Sequence, residues 1–336
     1  MMLTQIEQRV GSKNRLVQLN ESIRWYRFRK LLKGLHKNSE KSKGGPKAYD
    51  ELKMFKAIIL GQWHSLSEEA LEEALRVRLD FAVFTGFELA EDVPDETTLN
   101  RFRNKLTEKG VLEKLLQELN KELERGGVKV KNAVGAIIDA SIVESAARPQ
   151  KEIEAMAVDR EEKVYETSDE LQMSKDPDAK WLKKGKYCYY GYKAFCRIDS
   201  ADGFIEAINV LPANASEVTN LNPLLEGLLS WIRVYGDKGY ASEENRETLR
   251  GMKLKNGIMY KAQRNKPLSH WQRIFNRGVS KIRYKVEQVF GILKRQFKFG
   301  RASYITLAKV KGQFYLKCIC YNLLKASRKG LALGVN

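Results

Sequence analysis

Residues 136–143 read Ala-Ile-Ile-Asp-Ala-Ser-Ile-Val, an apolar run that carries a single carboxylate, Asp139. Such a run is typical of a strand that is buried on both faces of a sheet. Further along the chain, residues 187–198 alternate aromatic and small side chains, as a strand does. Asp202-Gly203 then signals a hairpin turn, and residues 204–211 suit the returning strand.

The segments after this hairpin alternate between helix and strand. The patterns indicate helix at 217–229, strand at 231–237, helix at 242–250, strand at 258–260 and helix at 270–297. Three strands joined by hairpins, followed by alternating helices and strands, have the order of the ribonuclease-H-like fold. We therefore expect an α/β catalytic domain over residues 127–300, with a mixed five-stranded sheet and a long polar insertion at about 144–186.

Residues 49–126, before the sheet, show the apolar spacing of helices. Asp95 is a candidate N-cap for one of them, and the exposed side of that helix would carry Arg101 and Arg103. Short helices joined by tight turns predict an all-α N-terminal domain resembling a helix-turn-helix bundle. Bundles of this kind bind DNA, but they also mediate protein contacts.

Charge is distributed unevenly along the 336 residues, whose formal net charge is +18. Residues 1–48 carry a net charge of +9, residues 49–250 of −10 and residues 251–336 of +19. An enzyme of small neutral metabolites has no need of such an imbalance. It indicates a polyanionic partner: nucleic acid, an acidic membrane surface or an acidic protein.

The two basic ends are predicted to flank the domains. Residues 1–48 read as a basic arm and linker, which is either solvated or lies on nucleic-acid phosphates, and residues 301–336 as a basic helical tail. No stretch approaches 18 consecutive apolar residues, and the N-terminus lacks the pattern of a signal peptide. A cytoplasmic protein with no membrane partner is expected.

Two aspartates occupy positions that suit a ligand site. Asp139 lies within an apolar strand, and Asp237 ends another predicted strand, where ligand sites of α/β sheets gather. A carboxylate in apolar surroundings must be paired, protonated or bound to a metal, because an isolated charge is costly there. For either residue alone, a hydrogen-bonded structural role is the common alternative.

Glu287 is the single acidic residue among the last 86. On a helix it shares a narrow stripe with Ser280, Arg283 and Lys294, separate from the apolar stripe. Arg283 and Glu287 could form an i,i+4 ion pair on a solvated face, but such a pair leaves the two aspartates unexplained. Three carboxylates from separate segments can instead hold two Mg²⁺ ions for phosphodiester displacement, with the surrounding cations binding phosphates.

Several short motifs follow one another between about Tyr49 and Tyr321. They are Pro94-Asp95-Glu96-Thr97-Thr98-Leu99 with Arg101-Phe102-Arg103, Ile138-Asp139-Ala140-Ser141, Gly191-Tyr192-Lys193, Leu211-Pro212-Ala213-Asn214, Gly236-Asp237-Lys238-Gly239-Tyr240, and Arg283, Glu287 and Lys294 in an Arg-x3-Glu-x6-Lys signature. In content and order they resemble the motifs of bacterial insertion-sequence DDE transposases, of the group that includes insertion sequence five.

The resemblance implies a DNA transposase that cuts element ends and joins the freed 3′-hydroxyl to target DNA. Asp139, Asp237 and Glu287 would hold two Mg²⁺ ions, for which Mn²⁺ would substitute. The implied DNA contacts are Arg283, Lys294, Lys193, Ser280, Arg101 and Arg103. The helical domain and the arm would recognise terminal inverted repeats in double-stranded DNA and support a homodimer or higher oligomer, because two ends must be paired. The protein would associate with the bacterial nucleoid when bound to DNA.

Two positions depart from the family pattern, and neither removes a predicted metal ligand. Ser280 stands where Tyr is frequent, and Ser216-Glu217 where His-Asp is frequent. The alternative function is a non-catalytic DNA-binding protein on a transposase scaffold. No Gly-x4-Gly-Lys-Ser/Thr loop occurs and the three histidines are far apart, which disfavours nucleotide hydrolysis and a His-pair nickase. A tyrosine recombinase would leave the acids unexplained. A two-carboxylate glycosidase would leave the basic ends of the chain unexplained.

Overall fold

The apolar run around Asp139 forms the central strand of a mixed sheet. In the computed structural model, which describes residues 2–35, 48–147 and 175–332, this strand, β1 (Gly135–Glu144), lies between two neighbours. It pairs antiparallel with β3 (Tyr187–Asp199) and parallel with β5 (Arg233–Gly236). β4 (Ile205–Pro212) runs antiparallel to β3, and β6 (Lys255–Ile258) runs parallel to β5. The order β4-β3-β1-β5-β6 is that of the predicted ribonuclease-H-like sheet, which is confirmed.

A sixth strand, β2 (Lys180–Lys184), adds to the five that the sequence predicts. It pairs antiparallel with the first residues of β3. Its side chains are mostly exposed, so it carries little of the apolar signal by which strands are identified in a sequence. β2 falls within the predicted insertion at 144–186, of which residues 148–174 lie outside the described residues.

Successive residues of β1 face two different cores. Ile137 belongs to a large cluster that extends into the helical region, whereas Ile138 belongs to a smaller cluster with Leu224, Val234 and Leu249. Both isoleucines are fully buried. Because neighbouring side chains of a strand point to opposite faces, burial on both sides explains why this run is continuously apolar.

Helices cover both faces of the sheet. On the larger core, α11 (His270–Arg295) contacts β1 and β5, and α12 (Leu307–Ala332) contacts β4. On the smaller core, α9 (Asn222–Leu225) contacts β3 and β4, and α10 (Glu243–Gly251) contacts β6. The helix predicted at 217–229 is therefore wrong in length: only a 3₁₀ turn and the short α9 form there, and Gly227 follows with a positive φ of 74°.

The N-terminal region is helical, as predicted. Its main helices are α4 (Glu51–His64), α5 (Glu68–Val77), α6 (Leu79–Thr85), α7 (Glu96–Glu108) and α8 (Val111–Arg125). The predicted N-cap of α7 is confirmed, because the Asp95 carboxylate accepts a hydrogen bond from the Thr98 amide at 2.7 Å.

The first 35 residues differ from the expected basic arm. They form α1 (Met2–Val10), α2 (Arg15–Ser22), a 3₁₀ turn and the short α3 (Arg29–Leu32). Leu19, Phe28 and Leu32 are buried in the same core as the later helices. The basic side chains dominate the composition of this segment, but its apolar residues fall at helical spacing. α1 and α2 pack against α6, and the 3₁₀ turn and α3 pack against α4. The linker stretch within residues 36–47 lies outside the described residues.

The basic C-terminal segment is helical, as predicted, but its helix lies at the centre of the structure and is not a peripheral tail. In α12, Phe314, Leu316, Ile319 and Leu323 are almost completely buried. The helix contacts α4, α7 and α8 on the helical side as well as β4 of the sheet. Because the residues that contact these neighbours lie all around it, α12 joins the helical region to the sheet in one core.

Asp176, from the predicted insertion, fixes the start of α12. Its carboxylate accepts hydrogen bonds from the hydroxyls of Ser145 and Tyr192 and from the Thr306 amide, the last at 3.1 Å. The Asp178 carboxylate accepts from the Leu307 amide at 2.8 Å. These two aspartates therefore supply the capping acceptors of α12 from a distant segment of the chain.

Lys56, on α4, gives the fold a measurable dependence on pH. The side chain is 7% exposed, and its Nζ donates to Asn20 Oδ1 at 2.6 Å. Burial lowers its pKa from 10.5 to about 8. The folded chain therefore binds fewer protons than the unfolded chain between these values, so this residue makes the free energy of unfolding rise with pH across that window.

We expect the unfolding free energy of the wild type, relative to Lys56→Met, to rise by about 2 kcal/mol between pH 7.5 and 9.5. Urea denaturation of both proteins at several pH values measures this difference. Lys114→Met, which removes an exposed lysine of α8, controls for the loss of one charge. A difference between wild type and Lys56→Met that stays constant with pH would refute the assignment.

Candidate active site at the edge shared by β1 and β5

Asp139 and Asp237 lie side by side where the pairing of β1 with β5 ends. In the parallel register Ile137 is opposite Tyr235. Asp139 and Asp237 each follow two residues later, just beyond the last paired residues, and the charge of Asp237 acts on Asp139. The two predicted aspartates are thus brought together by strands that are almost one hundred residues apart in sequence.

The environment of Asp139 is largely buried and rich in charge. Burial raises the pKa of this carboxyl to about 6, Arg283 opposes the change, and Asp237 and Glu217 add to it. Arg283 Nη2 lies 3.0 Å from Asp139 Oδ2, and both side chains are mostly buried. The ion pair favours the charged form of the carboxylate, which would otherwise be costly in this position.

The Asp237 carboxylate is held by the turn that follows it. Its Oδ1 accepts a hydrogen bond from the Gly239 amide at 2.7 Å, within a 3₁₀ turn at Lys238–Tyr240. A Cβ at Gly239 would overlap the Glu217 carboxylate and lie 2.8 Å from Asp237 Oδ1. Glycine at this position therefore lets Glu217 approach the Asp237 turn closely.

Glu217 is a carboxylate of this site that the sequence reading did not select. Its charge acts on Asp139 and on the buried Tyr240, as does that of Asp237. It also lies 3.5 Å from the Lys193 ammonium, which donates to the Ala215 carbonyl at 2.7 Å. The sequence contains one indication of this role. Ser216-Glu217 stands where the family that the chain resembles has His-Asp, so an acid is kept at the second position.

Lys193 itself is only 9% exposed and is held by these acceptors. In this structure it supports the Glu217 segment instead of offering a free ammonium to DNA.

The polar stripe of α11 faces the site at one end. Arg283 pairs with Asp139, so the guanidinium goes to the strand and not to Glu287 as in the alternative i,i+4 pair. Glu287 follows one turn later, about 6 Å along the helix axis, and is exposed. Ser280 and Lys294 are exposed as well, and Lys294 lies near Glu144 at the end of β1.

The carboxylates of this site are chemically suited to bind a metal, but they do not form a complete set of metal ligands. Within the described ranges, no group of three His, Cys, Asp or Glu side chains is close enough to hold a metal ion. Carboxylate oxygens are nevertheless the donors that Mg²⁺ prefers. The Tyr240 hydroxyl and Arg283 Nε are buried without a hydrogen-bond partner in the described part of the chain. Hydrogen-bonding capacity beside the two aspartates is therefore unused.

Of the two predicted DNA contacts on α7, the structure places one in the interior. Arg101 is exposed, but Arg103 is 5% exposed, pairs with Glu68 at 2.9 Å and stacks on the Tyr304 ring. The prediction of an exposed Arg103 is wrong, because this residue falls one helical turn after Leu99 on the face that packs inward.

The first half of α11 presents a basic and aromatic surface that the sequence reading overlooked. Arg273, Arg277 and Lys281 are exposed, and Trp271 and Tyr284 are 77% and 50% exposed. At 100° per residue, the basic side chains and Tyr284 fall beside the stripe that carries Ser280 and Glu287. Trp271 falls on a different side of the helix, so Tyr284 is the aromatic ring among these cations. Cations beside an exposed aromatic ring suit phosphates and bases. Projecting the whole helix, instead of residues 280–294, would have revealed this surface.

Across the described residues, no helix is both long enough and apolar enough to cross a membrane.

Comparisons with known proteins identify the family of the chain. The family described as transposase DDE domain matches residues 132–323, and the one described as transposase domain (DUF772) matches residues 4–105. The transposase for insertion sequence element IS1106 from Neisseria meningitidis serogroup B is 45% identical over 229 residues, which are 68% of this chain and 77% of that protein.

Two solved structures also cover most of the chain. They are the Mos1 transposase paired-end complex with the left transposon end (TM-score 0.21, 92% of this chain and 87% of that chain) and a pre-cleavage Mos1 transpososome (TM-score 0.20, 93% and 86%), each at 12% identity. TM-scores this low support no conclusion about fold or function. The two family matches, in contrast, together span most of the chain. The chain therefore belongs to the insertion-sequence transposases that contain a DDE domain.

Proposed function

We propose that this transposase cuts the ends of its element and joins the freed 3′-hydroxyl to target DNA by two-metal phosphodiester transfer. The observation that supports the proposal is the placement of Asp139 beside Asp237, with Arg283 of the Glu287 helix paired to Asp139. Two acids from separate strands, approached by a helix bearing a third acid and several cations, suit chemistry on a phosphodiester.

Asp139, Asp237 and Glu287 are the residues that would hold the metals. Two bound Mg²⁺ ions would activate the attacking hydroxyl and stabilise the leaving oxygen. Mn²⁺, a cation that also prefers oxygen ligands, would substitute. Glu217 and Gly239 position the Asp237 turn, and Arg283 keeps Asp139 in its charged form.

The cations around the acids would bind the DNA. Lys294 and the basic surface of α11 (Arg273, Arg277 and Lys281) are exposed on the helix that carries Glu287 and would contact phosphates. Exposed Arg101 on α7 would add a contact from the helical domain. Double-stranded DNA carrying the terminal inverted repeats, and then the target DNA, are the proposed partners.

The division of labour follows the two structural regions. The helical domain, including residues 2–35, would recognise the inverted repeats, and the sheet domain would perform the chemistry. Because two ends must be paired before joining, we propose a homodimer or higher oligomer that acts in the bacterial cytoplasm, at the nucleoid.

The direct test is cleavage of a duplex that carries one element end. We expect the wild type to cut it when Mg²⁺ or Mn²⁺ is added, and not in EDTA. The products are resolved on denaturing gels, and a duplex with a scrambled end serves as the control. Tight binding of the end duplex without cutting, across a range of divalent metals and paired ends, would support the non-catalytic DNA-binding alternative instead.

A further inference from the structure

A basic cavity lies on the side of α11 away from the acids. Its volume is about 350 Å³, and it is lined by the β3–β4 turn, one residue of α11 and the last turns of α12. Lys325, Arg328 and Lys329 are its basic lining residues. On α11, the lining residue Ile292 falls 180° around the helix from Arg283. The cavity is therefore separate from the site described above.

The acids near this cavity are already satisfied by the protein. Asp202 accepts from the Lys329 ammonium at 2.6 Å and from the Val130 amide at 2.7 Å. Asp199 is 1% exposed and accepts from three amides of its own turn, those of Asp202, Gly203 and Phe204. Asp202 is therefore paired with Lys329, and Asp199 is buried within its turn without forming an ion pair to any cation of the cavity.

Three cations at the cavity form no ion pair within the described residues. Lys285 reaches the turn from α11, and its Nζ donates to the neutral carbonyls of Ser200 and Ala201 at 2.6 and 3.1 Å. Lys325 lies near the rings of Phe204 and Tyr321 and has no hydrogen bond or ion pair within the described residues. Arg328 is exposed.

A half-buried ammonium without an anionic partner is unfavourable. Burial lowers the pKa of Lys325, Asp199 and Asp202 oppose this change, and the neighbouring Lys329 and Lys285 add to it. A bound anion would relieve the repulsion between these cations. The rigid turn on one side and α12 on the other preform the cavity, so little ordering is required on binding.

We propose that this cavity is a phosphate-binding site that holds a DNA backbone phosphate away from the reacting acids. Lys325 and Arg328 would contact the phosphate oxygens, with Lys285 adding positive potential. The choice of a phosphodiester as ligand rests on the proposed function, whereas the preference for phosphate follows from the cavity alone. DNA would then contact the catalytic domain on both sides of α11.

The first experiment probes the cavity without DNA or metal. Lysines of the full chain are acetylated with acetic anhydride in EDTA, at constant ionic strength, and the modification of each lysine is measured by mass spectrometry. We expect pyrophosphate to protect Lys325 several-fold and to leave Lys309, at the exposed start of the same helix, unprotected. Equal protection of both lysines, or of neither, would overturn the phosphate site. This result does not depend on cleavage, so it stands or falls separately from the proposed function.

The second experiment identifies the source of the phosphate. The affinity of the full chain for duplex DNA is measured against salt concentration for the wild type and for Lys325→Met/Arg328→Gln. We expect the slope of log K against log salt to become shallower by about 1, because the double variant no longer binds this one phosphate. Lys255→Met, which removes an exposed lysine at the start of β6, at the end of that strand away from the acids, is the control and should leave the slope unchanged. An unchanged slope in the double variant would overturn the assignment to DNA, even if pyrophosphate protects Lys325.

Discussion

Asp237→Ala is expected to lower the rate of Mg²⁺-dependent cleavage of an element-end duplex by about a thousandfold or more, since stabilisation of transition-state charge by a metal is worth several kcal/mol. The substitution removes a carboxylate that stands beside Asp139. Binding of the duplex at the same salt concentration should persist, because the cations that contact phosphates remain. Single-turnover cleavage and a binding titration on the same duplex measure the two effects separately.

Glu287 and Glu217 provide matched controls for this prediction. Glu287→Gln should be as damaging as Asp237→Ala, since we assign it as a metal ligand. Glu217→Gln should lower the rate by about 10- to 100-fold, as expected for a residue that positions a ligand. If Glu217→Gln abolished cleavage and Glu287→Gln did not, Glu217 would replace Glu287 as the third ligand. Unchanged cleavage by Asp237→Ala would reject the assignment of the acids altogether.

Gly191→Ala is expected to prevent stable folding, with a loss of about 4 kcal/mol or more in the free energy of unfolding. A Cβ at Gly191 would overlap the Val143 carbonyl and lie 2.7 Å from the Ser145 amide nitrogen and 2.8 Å from Glu144 Cα. All three contacts are with backbone, which cannot rotate aside as a side chain can. The Ser145 amide moreover donates to the Tyr190 carbonyl at 2.9 Å, so moving it would break the pairing of β1 with β3.

Gly251→Ala is the control for Gly191→Ala. Gly251 ends α10, where a Cβ would meet open space. The change there should be neutral or stabilise the protein by about 0.4–1 kcal/mol, because alanine restricts the unfolded chain. Soluble yield and urea denaturation compare the two variants. Equal stability of both would show that the β1–β3 contact tolerates a side chain.

The fold was largely predictable because its strongest signals are local. The apolar run at 136–143, the Asp202-Gly203 turn and the alternation that follows depend on neighbouring residues, and the sheet has the predicted topology. The predictions were wrong where the basic composition of a segment was taken as evidence for an exposed arm or tail. Residues 2–35 and α12 are basic, but their apolar side chains are buried in a core shared with distant helices.

The residues of the candidate site were likewise predictable only in part. Asp139 and Asp237 could be selected because each lies in or at the end of a predicted strand, and the two strands pair with each other up to two residues before these acids. Arg103 was predicted on the exposed face of α7, but it lies on the face that packs inward. Glu217 was passed over, because nothing local shows that a turn after β4 returns to the end of β5.

By itself, the sequence determined most of the order of helices and strands and indicated a polyanionic partner and the candidate acids, since periodicity, charge and motif spacing are properties of the chain. Only the tertiary structure decided which charges meet. It pairs Arg283 with Asp139 instead of Glu287, brings Glu217 to the aspartates and gathers Lys285, Lys325 and Arg328 around one cavity. Interactions between charges depend on distance and burial, and both are set by packing between segments that are remote in sequence.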